Sequence, residues 1–173
     1  MDLFGRAGVE ATSVDEITLA AKVAKGTFYV HFQHKTDVLL ERAAIILEEL
    51  VDADVTGPAP EALTSLGDRV AALMGSMPRP VMGRMVREIV GNRDDWLRIL
   101  GERRTLNAII MPIVAAGRAD GSLRTDLSPR RLAQGLTILW LDAVVGWAER
   151  EQHRDLAVDL RRATTLFLDG ARP

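Results

Sequence analysis

The sequence predicts an all-α fold, and three observations carry that prediction. Apolar residues recur three and four positions apart along most of the chain, the spacing that lines one face of a helix. No stretch alternates with period two for long enough to make a convincing strand. Helix start and stop signals punctuate the apolar stripes: Thr12-Ser13 followed by Glu16, "TGPAP" at 56–60, and "ADGSLRTDLSP" at 119–129.

The elements follow in order. Ser13 and Glu16 have the spacing of a capping box, in which the hydroxyl takes a backbone N–H and the carboxylate reaches back. The helix they open, Val14 to Ala21, puts Val14, Ile17 and Ala21 on one face. After a break at Lys22-Val23, a second short helix is expected from about Ala24 to His31. Phe28 and Phe32, four apart, point inward from it, while Lys25, Thr27, Tyr29 and His31 lie outward. Gly26 costs that helix about 1 kcal/mol relative to alanine, and close approach of the backbone to a phosphate is a sufficient reason for it.

A longer helix is expected from Lys35 to Asp54, with Val38, Leu39, Ala43, Ile46, Leu47 and Leu50 as its stripe. "TGPAP" is the clearest linker, with Pro60 suited to opening the next helix. Further helices are expected at 60–75, 79–91, 94–119, 128–151 and 155–169. Pro112 should kink the third of these, because proline lacks a donor and crowds the preceding turn. Gly121 ends it, and Ser128 with Pro129 restarts the chain as N-cap and first helical residue.

Composition bounds the function. A charged fraction of 27% and a hydrophobic fraction of 47% in 173 residues describe one compact soluble unit. Without cysteine there is no disulfide framework, thiolate nucleophile or cysteine-based zinc site. His31 has no second histidine four residues on, so no metal is expected, and no cofactor motif occurs. No activated nucleophile or acid–base pair is found: Asp94-Asp95 reads as a helix start and His153 as a loop residue beside Glu151 and Asp155. An enzyme is therefore not expected. No apolar run is long enough to span a membrane, and the start lacks a signal-peptide pattern, so the expected location is the cytoplasm.

The net charge of −2 argues against wholesale nucleic-acid binding, but it hides a pattern. From Thr18 to Thr36 there is no acidic residue, and all three lysines (Lys22, Lys25, Lys35) fall there with His31 and His34. Such a local patch holds phosphate even on an acidic protein, because the relevant field reaches about one Debye length, ~8 Å.

Two short helices joined by a tight turn form a helix-turn-helix, whose second helix enters the major groove. The run I-x-x-A-A-x-V-x-K-G-T-F-Y-x-H-F-x-x-K-x-x-x-L, Ile17 to Leu39, resembles the DNA-binding headpiece of the tetracycline-repressor (TetR) family. Upstream, "LFGRAGVEATSVDEI" resembles the end of that family's first helix and the start of its second. "AAGRADGSLRTDLSP" resembles the junction between its seventh and eighth helices. The resemblance implies a headpiece over 1–42, its first helix truncated, and an effector-binding and dimerisation domain over 43–173. It implies double-stranded DNA as partner, held through Thr12, Ser13, Lys25, Gly26, Thr27, Tyr29, His31 and Lys35. Singly these have plainer readings: Tyr29 as a cap on a small core, Lys25 and Lys35 as solvated surface, Ser13 as a helix cap.

Departures from the family pattern carry costs. Lys22 stands where the turn usually has glycine, and a left-handed backbone there costs about 1 kcal/mol or more. Ala24 replaces the usual serine cap, which is worth about another 1 kcal/mol. In the remainder, Met74, Met77, Met82, Met85 and Met111, with Trp96, Asn107, Trp140 and Trp147, are the candidate lining of a pocket for a small-molecule effector. Methionine is adaptable, which suits varied ligands, although each of these side chains taken singly reads more readily as core filler. The last two helices carry Leu136, Leu139, Ala143, Gly146 and Trp147, then Leu156, Leu160, Ala163, Phe167 and Gly170. By resemblance these two helices make a homodimer. The expectation is a ligand-responsive repressor; the alternative is a dimeric ligand-binding protein with weakened DNA affinity.

Overall fold

A computed structural model describes residues 2–51, 57–91, 105–149 and 155–172. Among them are nine helices and no strand: α1 (Asp2–Ala7), α2 (Val14–Ala21), α3 (Lys25–His31), α4 (Asp37–Val51), α5 (Ala59–Gly75), α6 (Arg79–Gly91), α7 (Leu106–Ala119), α8 (Pro129–Glu149) and α9 (Leu156–Ala171). Trp96, Asp94-Asp95, His153 and Asp54 lie outside the described residues.

The local signals act as the sequence predicts. Ser13 caps α2 and forms the full capping box with Glu16, and Ser128 accepts from the amide of Arg131 at the head of α8. Pro60 sits in the first turn of α5. One boundary differs: the expected helix 94–119 has a fresh start at Leu106, where the Thr105 hydroxyl accepts from the amide of Ala108. The apolar residues of 96–100 resume at Leu106, so periodicity alone carries the helix across the polar Gly101–Arg104 run and passes over the threonine cap. Pro112 lies inside α7.

The core is one cluster that takes in Phe4 of α1 and Val9 and runs on from α4 through α5, α6, α7, α8 and α9. Trp140 is its largest fully buried side chain. Its indole N–H donates to the Thr164 hydroxyl at 2.9 Å, and that hydroxyl donates to the Leu160 carbonyl at 2.8 Å. A Cβ on Gly67 would lie 3.2 Å from the Trp140 ring, so glycine lets α5 close on this pair. Tighter still, a Cβ on Gly117 would meet that of Ala59 at 2.5 Å, which fixes α7 against the start of α5.

The α7–α8 junction shows how sequence becomes a joint. Gly121 takes a positive φ of 82°, and Leu123 is buried with its amide on the Gly117 carbonyl at 2.8 Å. Arg124 then reaches the end of α9: its amide donates to the Ala171 carbonyl and its guanidinium to the Gly170 carbonyl. Asp126 holds that guanidinium with two bonds of 2.6 Å.

Candidate nucleic-acid interface

The N-terminal 40 residues are held together differently. Phe4 is the buried residue of α1, Thr18 of α2 and Phe28 of α3. Phe28 packs on Phe32 and Tyr29, with ring centroids 5.3 and 5.4 Å away. Everything else on α3 is exposed: Lys25, Gly26, Thr27, Tyr29, Val30 and His31. A helix that buries one side chain in seven is presented, not packed.

The turn between α2 and α3 is left-handed at Lys22, with φ 56° and ψ 39°, and the Lys22 amide donates to the carbonyls of Leu19 and Thr18. It is the non-glycine positive φ among the described residues. Ala24 then starts α3 with no side-chain cap. Both costs foreseen from the sequence are therefore present.

Polar groups inside the headpiece act mostly on its own backbone. The Lys35 ammonium donates to the carbonyls of Glu10 at 2.6 Å and Thr12 at 3.1 Å. Those bonds tie the loop between α3 and α4 to the loop that precedes α2. Thr12 is buried, and its hydroxyl donates to the Gly8 carbonyl at 2.7 Å. Ser13 donates its amide and hydroxyl to the Glu16 carboxylate at 2.7 and 2.8 Å. The amide, then the hydroxyl, hold the Glu16 carboxyl below the usual carboxylate range. Lys25 bonds Asp15 at 2.8 Å, and that hydrogen bond, then the charge, push its ammonium pKa up.

The eight sequence candidates thus divide. Gly26, Thr27, Tyr29 and His31 are all exposed on α3. Lys25 is exposed but paired with Asp15. Thr12, Ser13 and Lys35 are occupied inside the headpiece; in particular, Thr12 has no free hydroxyl for a phosphate, because burial needs its proton on Gly8. Sequence spacing missed Lys35's role because its partners lie 25 and 23 residues away. It also passed over Val30, which stands outward at 78% exposure.

The headpiece also touches the body directly. A Cβ on Gly5 of α1 would lie 2.9 Å from Pro78 beside α6, and Arg84 of α6 meets the Glu10 carboxylate at 3.0 Å.

The effector candidates are mostly packed. Met74, Met77, Met82, Met85, Trp140 and Trp147 are buried in the core cluster, and Met111 faces outward. Asn107 is half-buried, yet its side-chain carbonyl is shut from solvent with no hydrogen-bond partner among the described residues. A groove of about 370 Å³ lies beside Trp147, rimmed by Asp68 and Arg161, which pair at 2.7 Å. Arg79 stacks on Trp147, 4.9 Å from the ring. On the last two helices, Leu136, Trp147, Leu156, Leu160 and Phe167 serve the chain's own core. The apolar residues left outward are Ile138 on α8 with Val158 and Leu166 on α9. No described helix is long and apolar enough to cross a membrane, and no cluster of potential metal ligands occurs among the described residues.

Comparison with known proteins agrees with this anatomy. A profile of bacterial regulatory proteins of the tetR family matches residues 1–41. A profile of the C-terminal domain of TetR/AcrR family transcriptional repressors matches residues 52–170. The transcriptional regulator AcuR of Cereibacter sphaeroides is 30% identical over 148 residues, covering 80% of this chain and 68% of that protein. FadR of Thermus thermophilus, a TetR-family repressor solved in complex with lauroyl-CoA, is 29% identical with a TM-score of 0.77, covering 98% of this chain and 90% of its own. FadR of Bacillus subtilis, solved with stearoyl-CoA, shares the fold at 22% identity and a TM-score of 0.74, covering 99% of this chain and 95% of its own. With a presented helix on a helix-turn-helix and two profiles lying end to end along it, the chain belongs to the TetR family of DNA-binding transcriptional regulators, not to a family of enzymes.

Proposed function

We propose that this chain is a dimeric repressor that holds a near-palindromic operator through α3 and releases it when a small molecule with an apolar part binds the body. Residues 1–42 are the reading head and 43–173 the sensor and dimer module, with α4 shared, since its buried face (Leu39 to Leu50) belongs to the body's core. The carrying observation is the open side of α3. Gly26, Thr27, Tyr29 and His31 are exposed together, and a Cβ on Gly26 would meet nothing within 4 Å. The fold itself gives no reason for a helix-weakening glycine there; a phosphate or base edge approaching the backbone does. Thr27, Tyr29 and His31 touch DNA directly, and Lys25 joins them when it leaves Asp15. Thr12, Ser13 and Lys35 position the loop before α2.

Dimerisation through α8 and α9 is supported by the outward Ile138 and Leu166, both 65% exposed. A twofold dimer sets the two half-sites about one helical turn apart. For the effector, support comes from the adaptable methionines of α5 and α6 and from the Asn107 carbonyl, which has no partner among the described residues and is a group that costs about 1–3 kcal/mol when left unsatisfied. A fatty acyl thioester is the class to try first, because the Thermus FadR carries lauroyl-CoA.

The test is salt-titrated binding of the chain to DNA flanking its own gene, against scrambled DNA of equal length, with and without lauroyl-CoA. Selective binding that weakens steeply with salt, and about 5–150-fold release by the thioester but not by coenzyme A, is the expected result. Equal binding to both DNAs sinks the operator. Selective binding that ignores lauroyl-CoA sinks only the acyl thioester.

A further inference from the structure

The outward crest of α3 is apolar. Successive helical residues turn by about 100°, so residues two before and two after a buried one point about 160° away from it. Phe28 is the buried residue, which puts Gly26 and Val30 on the crest, with Thr27 and Tyr29 on its flanks. Val30 is 78% exposed. A β-branched residue also gives up side-chain freedom in a helix, so neither burial nor helix propensity accounts for it there. Gly26 beside it leaves open space where a side chain would stand.

What the crest lacks matters equally. Base edges are usually read by arginine, lysine, asparagine or glutamine in bidentate pairs. None of these stands on the crest or flanks of α3; Lys25, at the helix start, is bonded to Asp15. The hydrogen-bonding groups nearest the crest are the hydroxyls of Thr27 and Tyr29 on its two flanks. The major groove offers one apolar feature that such a surface fits, the C5-methyl group of thymine.

From this crest we propose that Val30 is a specificity-determining residue of the operator complex, reading thymine by contact with its C5-methyl group. It rests on the proposed operator function. Selectivity then comes from the methyl groups displayed in the groove more than from hydrogen bonds to base edges, and half-sites are thymine-containing where Val30 lands. Val30 is exposed, so replacing it leaves the fold intact.

Deoxyuridine differs from thymidine only by that methyl. An operator selected from random DNA is resynthesised with one thymine per half-site changed to deoxyuridine, position by position. At one position the full chain should lose about fourfold per half-site, the value of one buried methyl-sized group at about 0.8 kcal/mol; with both half-sites changed the losses multiply. The Val30→Ala protein, left with one methyl in place of the isopropyl group, should bind the thymine operator more weakly, show a smaller deoxyuridine penalty at that position, and keep its salt slope, because no phosphate contact is lost. A penalty of undiminished size in Val30→Ala, or its absence at every position in the unaltered chain, overturns the assignment while leaving the operator intact. Failure to select any sequence overturns both.

Discussion

Trp140 and Phe28 are both large rings packed among helices, but the regions they organise are built on opposite terms. Around Trp140, α5 alone buries Leu63, Leu66, Val70 and Met74, and the one polar atom of the ring has its partner in Thr164. Around Phe28, α2 and α3 bury two side chains between them, Thr18 and Phe28. Shape there comes from groups turned onto the backbone: Lys35 on two carbonyls, Thr12 on Gly8, Ser13 and Glu16 on each other. Apolar residues meanwhile stand in solvent, as Val30 and Leu19 do. The body packs most of its apolar residues into one core, with Ile138 and Leu166 left outward. The headpiece ties down its polar groups and keeps a face for something else.

The two regions can be watched separately. The only tyrosine is Tyr29, in the headpiece, while the three tryptophans, Trp96, Trp140 and Trp147, all lie in the body's sequence. A single 3-fluorotyrosine resonance therefore reports α3, and tryptophan fluorescence reports the core. Trp140→Ala should have the largest effect, about 3–5 kcal/mol of lost stability, with the tryptophan transition moved to much lower denaturant. A shift under 1 kcal/mol would mean that Gly67 and Thr164 close over the space, and that the core is looser than its packing suggests.

Phe28→Ala should sharpen the contrast. With its single buried side chain gone, α3 should lose its native fluorine resonance and selective DNA binding, while the tryptophan transition stays within about 0.5 kcal/mol, as expected for sites without shared partners. Equal loss in both signals would show that headpiece and body unfold as one unit, coupled through α4 and the Glu10–Arg84 pair.

Lys35→Met comes next. Hydrogen bonds from a charged donor are worth about 1.5–3 kcal/mol when buried, and Lys35 is only half-buried, so about 1 kcal/mol of headpiece stability should go, read from the fluorine signal. The slope of log affinity against log salt should stay as it was. A slope smaller by about 0.9 per half-site would mean that the ammonium leaves its carbonyls for a phosphate when DNA arrives.

These cases also show what was legible beforehand. The Ser13–Glu16 box, the left-handed Lys22, the uncapped Ala24 and the Ser128–Pro129 restart all follow rules that act within four residues, and each is where the sequence put it. The exposed face of α3 was legible too, because helical spacing from Phe28 and Phe32 fixes it. Lys35 on Glu10, Trp140 on Thr164 and Arg124 on the end of α9 join residues far apart in the chain, and no periodicity encodes them. The methionines mark a subtler limit. Periodicity tells which side of a helix faces inward, but not whether it meets its own chain, as Met82 and Met85 do, or a ligand.

Lys22→Gly is the smallest effect and the most local. The residue sits at φ 56°, ψ 39°, where a side chain costs about 1 kcal/mol or more. Glycine removes that strain but gains more freedom in the unfolded chain, which returns part of it. The net should be about 0.5 kcal/mol of added headpiece stability, seen as a later fluorine transition with the tryptophan signal unmoved. The substitution also deletes a cation from the acid-free window. If that cation contacts DNA, the salt slope falls by about 0.9 per half-site while stability rises, and the two readouts then part company. A loss of stability instead would mean that the Lys22 side chain holds the turn by itself. The family's usual glycine would then be absent here because a different tie has taken its place, in keeping with a headpiece built from polar contacts more than from a core.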